Sequence, residues 1–405
     1  MAMNRETIDI EELKRCLIST IDERRDEYIQ ASHDISEHPE LGNQEFYAAD
    51  RLGRILEAGG FALESNIAGH STGFIARREA GSAGPVIAFL AEYDALPEIG
   101  HGCGHNIIGV ASVAAAVALA GVLDRIGGEI VVFGSPAEEG GENGSAKASY
   151  VKAGLFEGID ASLMVHPSNA TVTTENALAL DPLDFEFFGK PAHAASAPEN
   201  GINALDGIIL LFNGINALRQ QLASDVRIHG IITRGGDAPN IIPAYAKARF
   251  FVRASTRSRC SEATAKVKAI AEGAALATGT KVKISYFQNP VDDFLINRNF
   301  NDLFKEVMEE MGESIGDPVR QSVGSTDAGN VSQVVPTIQP SIKIGPGDLV
   351  AHTVEFRDAA RSTEGDRALI AGAKALAITG LRLLTDRERF RVIQAEFAAS
   401  QNGRE

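Results

Sequence analysis

Short apolar runs alternate with helical stretches through the first half of the chain, and this alternation constrains the fold more than any other feature. PVIAFLAEYD (85–94), EIVVFGS (129–135) and ASLMVHP (161–167) are largely apolar runs flanked by turn-forming residues, the pattern of strands buried in a parallel sheet. Between the first two lies NIIGVASVAAAVALAGVLDR (106–125), whose small residues predict a buried helix. Residues 8–37, 47–59 and 145–154 predict further helices, the second ended by Gly59–Gly60. Strand, loop, helix, strand is the signature of an α/β domain with a mostly parallel sheet.

Near residue 180 the rhythm changes. LDFEFFGK (183–190), VRIHGIITRGG (226–236), AKARFFVRAS (246–255) and KVKISYFQ (281–288) predict strands, with helices at 202–222 and 259–279. The order β-α-β-β-α-β is that of a ferredoxin-like α+β sandwich. After it the α/β pattern resumes with a helix at 299–311, a strand at 337–345 and a long helical C-terminus. A chain of 405 residues, 44% apolar, suits two domains. Residues 1–180 and 293–405 are expected to form one domain, with 181–292 inserted as the second and the cleft between them as the natural place for a site.

A net charge of −16 repels phosphates and argues against nucleic acid. No apolar run approaches the length needed to span a bilayer, and the polar start MAMNRETIDIEELKR has no signal-peptide core. The expectation is a cytoplasmic protein. Three cysteines, Cys16, Cys103 and Cys260, fit a reducing compartment rather than a disulfide framework; Cys16 and Cys260 read as structural.

Cys103 differs because of its neighbours in GHGCGHNIIG (100–109). Cys103 and His105 follow the strand ending at Asp94, Glu138 and Glu139 the strand ending at Ser135, His166 ends the next strand, and His352 follows the last. Each group alone has an ordinary reading: a turn, a solvated acidic pair, a satisfied histidine. Together they deliver metal-competent side chains to the carboxyl edge of one sheet, where open α/β folds bind ligands. Thiolate and imidazole favour zinc and its neighbours, and carboxylates tolerate manganese. Two divalent ions could share these ligands, with Cys103 bridging, and activate a water. Neighbouring glutamates in a loop point apart, so one can bind metal while the other moves the proton; on the residues alone either can be the ligand. Asp94 either fixes the tautomer of a ligand histidine or makes a turn, and His101 reads as a loop residue. A redox centre is disfavoured, since there is no C-x-x-C.

HPELGNQEF (38–46), AEYDALPEIGHGCGHNIIG (91–109), SPAEEGGENG (135–144), MVHP (164–167), GKPAHAASAPENGINALDGI (189–208), APNIIPAYAKARFFVRA (238–254), GSTDAGNVSQVVPTI (324–338) and AHTVEF (351–356) resemble the M20 metallopeptidases and amidohydrolases over nearly the whole chain. The branch looks like the one with auxin-conjugate hydrolases, aminoacylase-like enzymes and aminobenzoyl-glutamate hydrolase subunits; GHGCGHN and STDAGNVSQVVPT are most similar to the aminobenzoyl-glutamate and mammalian dipeptidase-like subgroup. The resemblance implies metal ligands at Cys103, His105, Glu139, His166 and His352, and Glu138 as general base. It implies two divalent ions, zinc or manganese, with cobalt or nickel as options. It makes residues 181–292 a lid that also dimerises the chain, with His193 reaching the partner's site to polarise the scissile carbonyl. Asn240 and Arg253 resemble residues that hold the substrate carbonyl and carboxylate; a surface ion pair is the plain alternative for Arg253. Two departures stand out: Glu92-Tyr93-Asp94 replaces the His-x-Asp of many members, and Asn106 replaces the aspartate of C-G-H-D.

The function expected is hydrolysis of an amide bond beside a free carboxylate, in N-acyl amino acids, aminobenzoyl-glutamate-like conjugates or dipeptides. The alternatives are a dipeptidase or aminopeptidase that needs a free N-terminal amine, and a catalytically silent scaffold on the same fold.

Overall fold

The computed structural model describes residues 9–318 and 324–402; the polar first eight residues lie outside them. The strands are β1 (Ala62–Ile67), β2 (His70–Glu79), β3 (Val86–Glu92), β4 (Glu129–Ser135), β5 (Ala161–Leu163), β6 (His166–Ser168), β7 (Ala179–Phe188), β8 (Arg227–Arg234), β9 (Tyr245–Ala254), β10 (Lys281–Tyr286), β11 (Thr337–Ile338) and β12 (Ser341–Lys343). The chain divides into two compact units.

The first unit takes the described residues of Met1–Asn176, Phe294–Gln321 and Asn330–Glu405. Its main sheet has the order β1-β2-β4-β3-β5-β11. β3 runs parallel to β4 and β5, and β11 parallel to β5, while β1 and β2 form an antiparallel hairpin at one edge. The mostly parallel α/β reading therefore holds. The hairpin was not expected, because ALESNI is exposed at four of its six positions and shows no apolar run. The strand expected at 337–345 divides at Pro340, which has no N–H to donate to a ladder: β11 joins the main sheet and β12 pairs with β6.

The helix His105–Ile126 is buried at every residue from His105 to Ala120. It and Thr363–Thr385 are long and apolar enough to cross a membrane by length and composition, which corrects the expectation that no run approaches that length. Their apolar windows are 94% and 83% buried inside the protein, so the core uses that apolarity. The expected helix 8–37 is two helices, Ile10–Glu23 and Arg25–Glu37, broken where Arg24 leaves helical geometry at φ −105°, ψ 14°.

The second unit takes the described residues of Ala177–Asp293 and Ser322–Gly329. Its antiparallel sheet has the order β10-β7-β9-β8. YAKARFFVRA of β9 alternates strictly, burying Ala246, Ala248, Phe250, Val252 and Ala254, the period of a strand with one face covered. The helices Ala204–Leu218 and Arg257–Thr278 join that core. β8 is an edge strand, exposed at seven of its eight positions.

Candidate metal centre

β3 and β4 pair in parallel from Val86–Glu129 to Glu92–Ser135. Their carboxyl ends therefore bring Glu92 and Asp94, and the loop carrying Glu138 and Glu139, to one edge of the first unit. Gly104, at φ 77°, turns the chain from Cys103 into the helix His105–Ile126. A Cβ there would meet Pro167 Cγ at 2.8 Å, so both conformation and space call for glycine.

The predicted donors converge. Cys103, His105 and His166 present ligand atoms within 4.8 Å of one another, as do Cys103, Glu139 and His352, and His105, Glu138 and Glu139. Cys103 belongs to the first two groups, and its Sγ lies 3.6 Å from His166 Nε2. His352 reaches in from a loop at φ 66°, its Nε2 3.2 Å from Glu139 Oε1.

The surroundings orient these groups. His105 Nδ1 bonds Asp94 Oδ1 at 2.9 Å, and the Glu139 N–H donates to Asp94 Oδ2 at 2.9 Å. Asp94 thus braces a histidine and a glutamate together, which is more than a turn. His105 Nε2 faces Glu92 Oε2 at 3.6 Å and Glu138 Oε2 and Glu139 Oε1 at 3.9 Å each. His166 Nδ1 bonds the Pro167 carbonyl at 2.7 Å, which leaves its Nε2 for the centre.

Burial opposes charge on His105, but the Asp94 carboxylate beside it prevails and holds the imidazole well above its ordinary value. Burial, with Glu139 adjacent, pushes the Cys103 thiol well up. Burial also works against Glu139, yet the His352 and His105 contacts keep it below the usual carboxylate range. His105 Nε2 and Glu92 Oε2 are buried and make no hydrogen bond, a costly arrangement for polar atoms that a cation would relieve. Sulfur, imidazole and carboxylate donors so placed fit a divalent metal.

Sequence reasoning passed over three residues here. Glu92 stands at the departure from His-x-Asp, and that departure was the available signal. Lys147 Nζ lies 2.7 Å from Glu92 Oε1 with both side chains wholly buried; nothing in its Ala/Ser surroundings marked it. His101, expected to be a plain loop residue, is 1% exposed, and burial takes it down to about 3, so it is neutral.

The other three predicted residues lie in the second unit. The N–H groups of Ala195 and Ser196 both donate to His193 Nδ1 at 3.2 Å. They select the tautomer with its proton on Nε2. The Ala194 N–H donates to the Asn240 carbonyl at 3.0 Å, which sets Asn240 beside His193. Arg253 lies on β9, stacks over Phe251 at 5.3 Å and donates to Ser325 Oγ at 3.0 Å.

The sequence profile of Peptidase family M20/M25/M40 matches residues 88–377. The chain is 35% identical to the Xaa-Arg dipeptidase of Mus musculus over 405 residues, covering 96% of this chain and 93% of that protein. It is 34% identical to one of the subunits of p-aminobenzoyl-glutamate hydrolase from Escherichia coli K12, covering 75% of this chain and 66% of that one. A crystal structure of the aminobenzoyl-glutamate utilization protein from Klebsiella pneumoniae superposes with a TM-score of 0.71 at 19% identity, over 94% of this chain and 100% of that one, and so shares the fold. Profile and relatives agree with the converging donors: the chain belongs to peptidase family M20/M25/M40 and is a hydrolase of that family.

Proposed function

We propose that this hydrolase cleaves an amide bond beside a free carboxylate, in a dipeptide, an N-acyl amino acid or an aminobenzoyl-glutamate-like conjugate. The observation that carries the reading is the sharing of Cys103 between two donor groups, one with His105 and His166, the other with Glu139 and His352. Such a set can hold two divalent ions, zinc or manganese, which when bound supply Lewis acidity and lower the pKa of water.

The remaining steps belong to the chain. Glu138, whose side chain is 11% exposed, accepts the proton of the attacking water and passes it to the leaving nitrogen. His193, with Nε2–H free to donate, polarises the carbonyl oxygen. Asn240 orients that carbonyl, and the planar fork of Arg253 takes the carboxylate. The names of both relatives support this, since Xaa-Arg and p-aminobenzoyl-glutamate each carry a free carboxylate beside the amide.

Residues 181–292 serve as a ferredoxin-like lid and dimerisation domain, with 1–180 and 293–405 as the catalytic domain. The open edge β8, where Ile231 is 64% exposed, supports a homodimer through that domain, and His193 then acts across it. The protein works in the cytoplasm on small substrates, away from nucleic acid and membranes. The test is a panel of dipeptides, their N-acetyl forms and p-aminobenzoyl-glutamate, assayed with manganese, zinc and cobalt. Turnover of dipeptides but not their N-acetyl forms would favour a dipeptidase that needs the free amine. No turnover of any member would leave the silent scaffold.

A further inference from the structure

The stretch HPELGNQEF (38–46) has no part in the chemistry above and lies outside the residues 88–377 that match the family profile. Its Glu45 is wholly buried. Glu45 Oε1 accepts from the N–H groups of Asn43 and Ala137 at 2.9 Å each, and Oε2 accepts from the Thr72 hydroxyl at 2.7 Å. The bond from Ala137 reaches the metal centre's own loop, because Ala137 immediately precedes Glu138.

In that loop Ala137, Asn143 and Ser145 have positive φ, a region that residues with side chains rarely adopt without outside support. The support comes from residues 42–45. A Cβ on Gly42 would meet Ala137 Cβ and the Gly140 carbonyl, each at 2.8 Å, so the two backbones lie in direct contact. Asn43 Nδ2 donates to the carbonyls of Glu142 at 3.0 Å and Asn143 at 3.2 Å, and Asn43 Oδ1 is bonded by His70 Nδ1 at 2.7 Å.

We infer that Glu45 is a positioning residue: by accepting the Ala137 N–H it fixes the backbone from which Glu138 and Glu139 project. The inference rests on those two glutamates being the proton acceptor and a metal ligand. A carboxylate or an amide oxygen can do this equally well, whereas a methyl group cannot.

The experiment compares Glu45→Gln and Glu45→Ala with wild type in the full chain. Cobalt is the probe, read by titration and by its visible absorption spectrum. Glu45→Ala should weaken cobalt binding by roughly 10- to 100-fold, alter the spectrum, and lower kcat with KM nearly unchanged. Glu45→Gln should return affinity, spectrum and kcat to within about threefold of wild type. If Glu45→Ala fails to fold, Thr72→Val removes only the Oε2 bond and should show a smaller change of the same kind. Wild-type cobalt binding in Glu45→Ala, or in Thr72→Val if that is the variant used, overturns the inference. So does a Glu45→Gln variant as defective as Glu45→Ala. Glu139→Gln is the control: if it leaves cobalt binding unchanged, the ligand assignment has failed instead.

Discussion

Replacing Lys147 by methionine removes a buried ammonium and leaves its partner Glu92 in place. The two groups are 2.7 Å apart with both side chains wholly inaccessible. At an effective dielectric near 20 their attraction is roughly 6 kcal/mol. Part of that is offset, because the variant no longer has to desolvate an ammonium. His105 Nε2, 3.6 Å from Glu92 Oε2, stays beside the carboxylate and offsets a further part. The loss should therefore be about 3–4 kcal/mol, or roughly 5 °C in Tm for a chain of 405 residues. Lys147→Met combined with Glu92→Gln should recover much of the loss, since no charge is then stranded. Denaturant unfolding in EDTA, which separates folding from metal binding, measures both quantities. A single variant within about 1 kcal/mol of wild type, or a double variant as unstable as the sum of both singles, would refute this reasoning.

Glu138→Gln should keep its metal content and lose about 10²- to 10⁴-fold in kcat; elemental analysis with steady-state kinetics decides, and full activity would remove Glu138 from its role. Burial, with Asp94 nearby, raises Glu45 from 4.5 to about 7, so its contribution to stability is present below pH 4.5 and is lost as pH rises to 7. Stability relative to Glu45→Gln should accordingly fall by about 3 kcal/mol across that window; a flat difference in urea titrations would count against it. Because Cys103 and His105 both hold protons more tightly than usual, zinc binding should release protons and tighten with rising pH. Calorimetry in two buffers of different ionisation enthalpy checks this, and no proton release would contradict it. Mixing His193→Ala with a His352→Ala variant should restore activity if His193 acts across a dimer; mixtures as inactive as their parents would place it in its own subunit's site.

What could be read from the sequence was whatever local chemistry writes into it. Parallel strands buried on both faces leave runs such as PVIAFLAEYD, and strict alternation such as YAKARFFVRA marks a strand covered on one face. The donor types at strand ends are equally visible, so Cys103, His105, the Glu138–Glu139 pair, His166 and His352 could be named as candidate donors before any coordinates, while Glu139 rather than Glu138 as the ligand is only what the family resemblance implies. Tertiary structure decided what depends on partners far along the chain. β1 is an exposed edge strand with almost no apolar pattern and exists because β2 pairs with it. Glu45 looks like any surface glutamate until a backbone N–H 92 residues away is found bonded to it. Lys147 sits in an unremarkable Ala/Ser stretch and becomes a buried counter-charge only because β3 ends beside it with Glu92. Periodicity reports which face of an element is buried; it carries no record of which distant polar group will meet it there, since that pairing is fixed only when the sheet closes and excludes water.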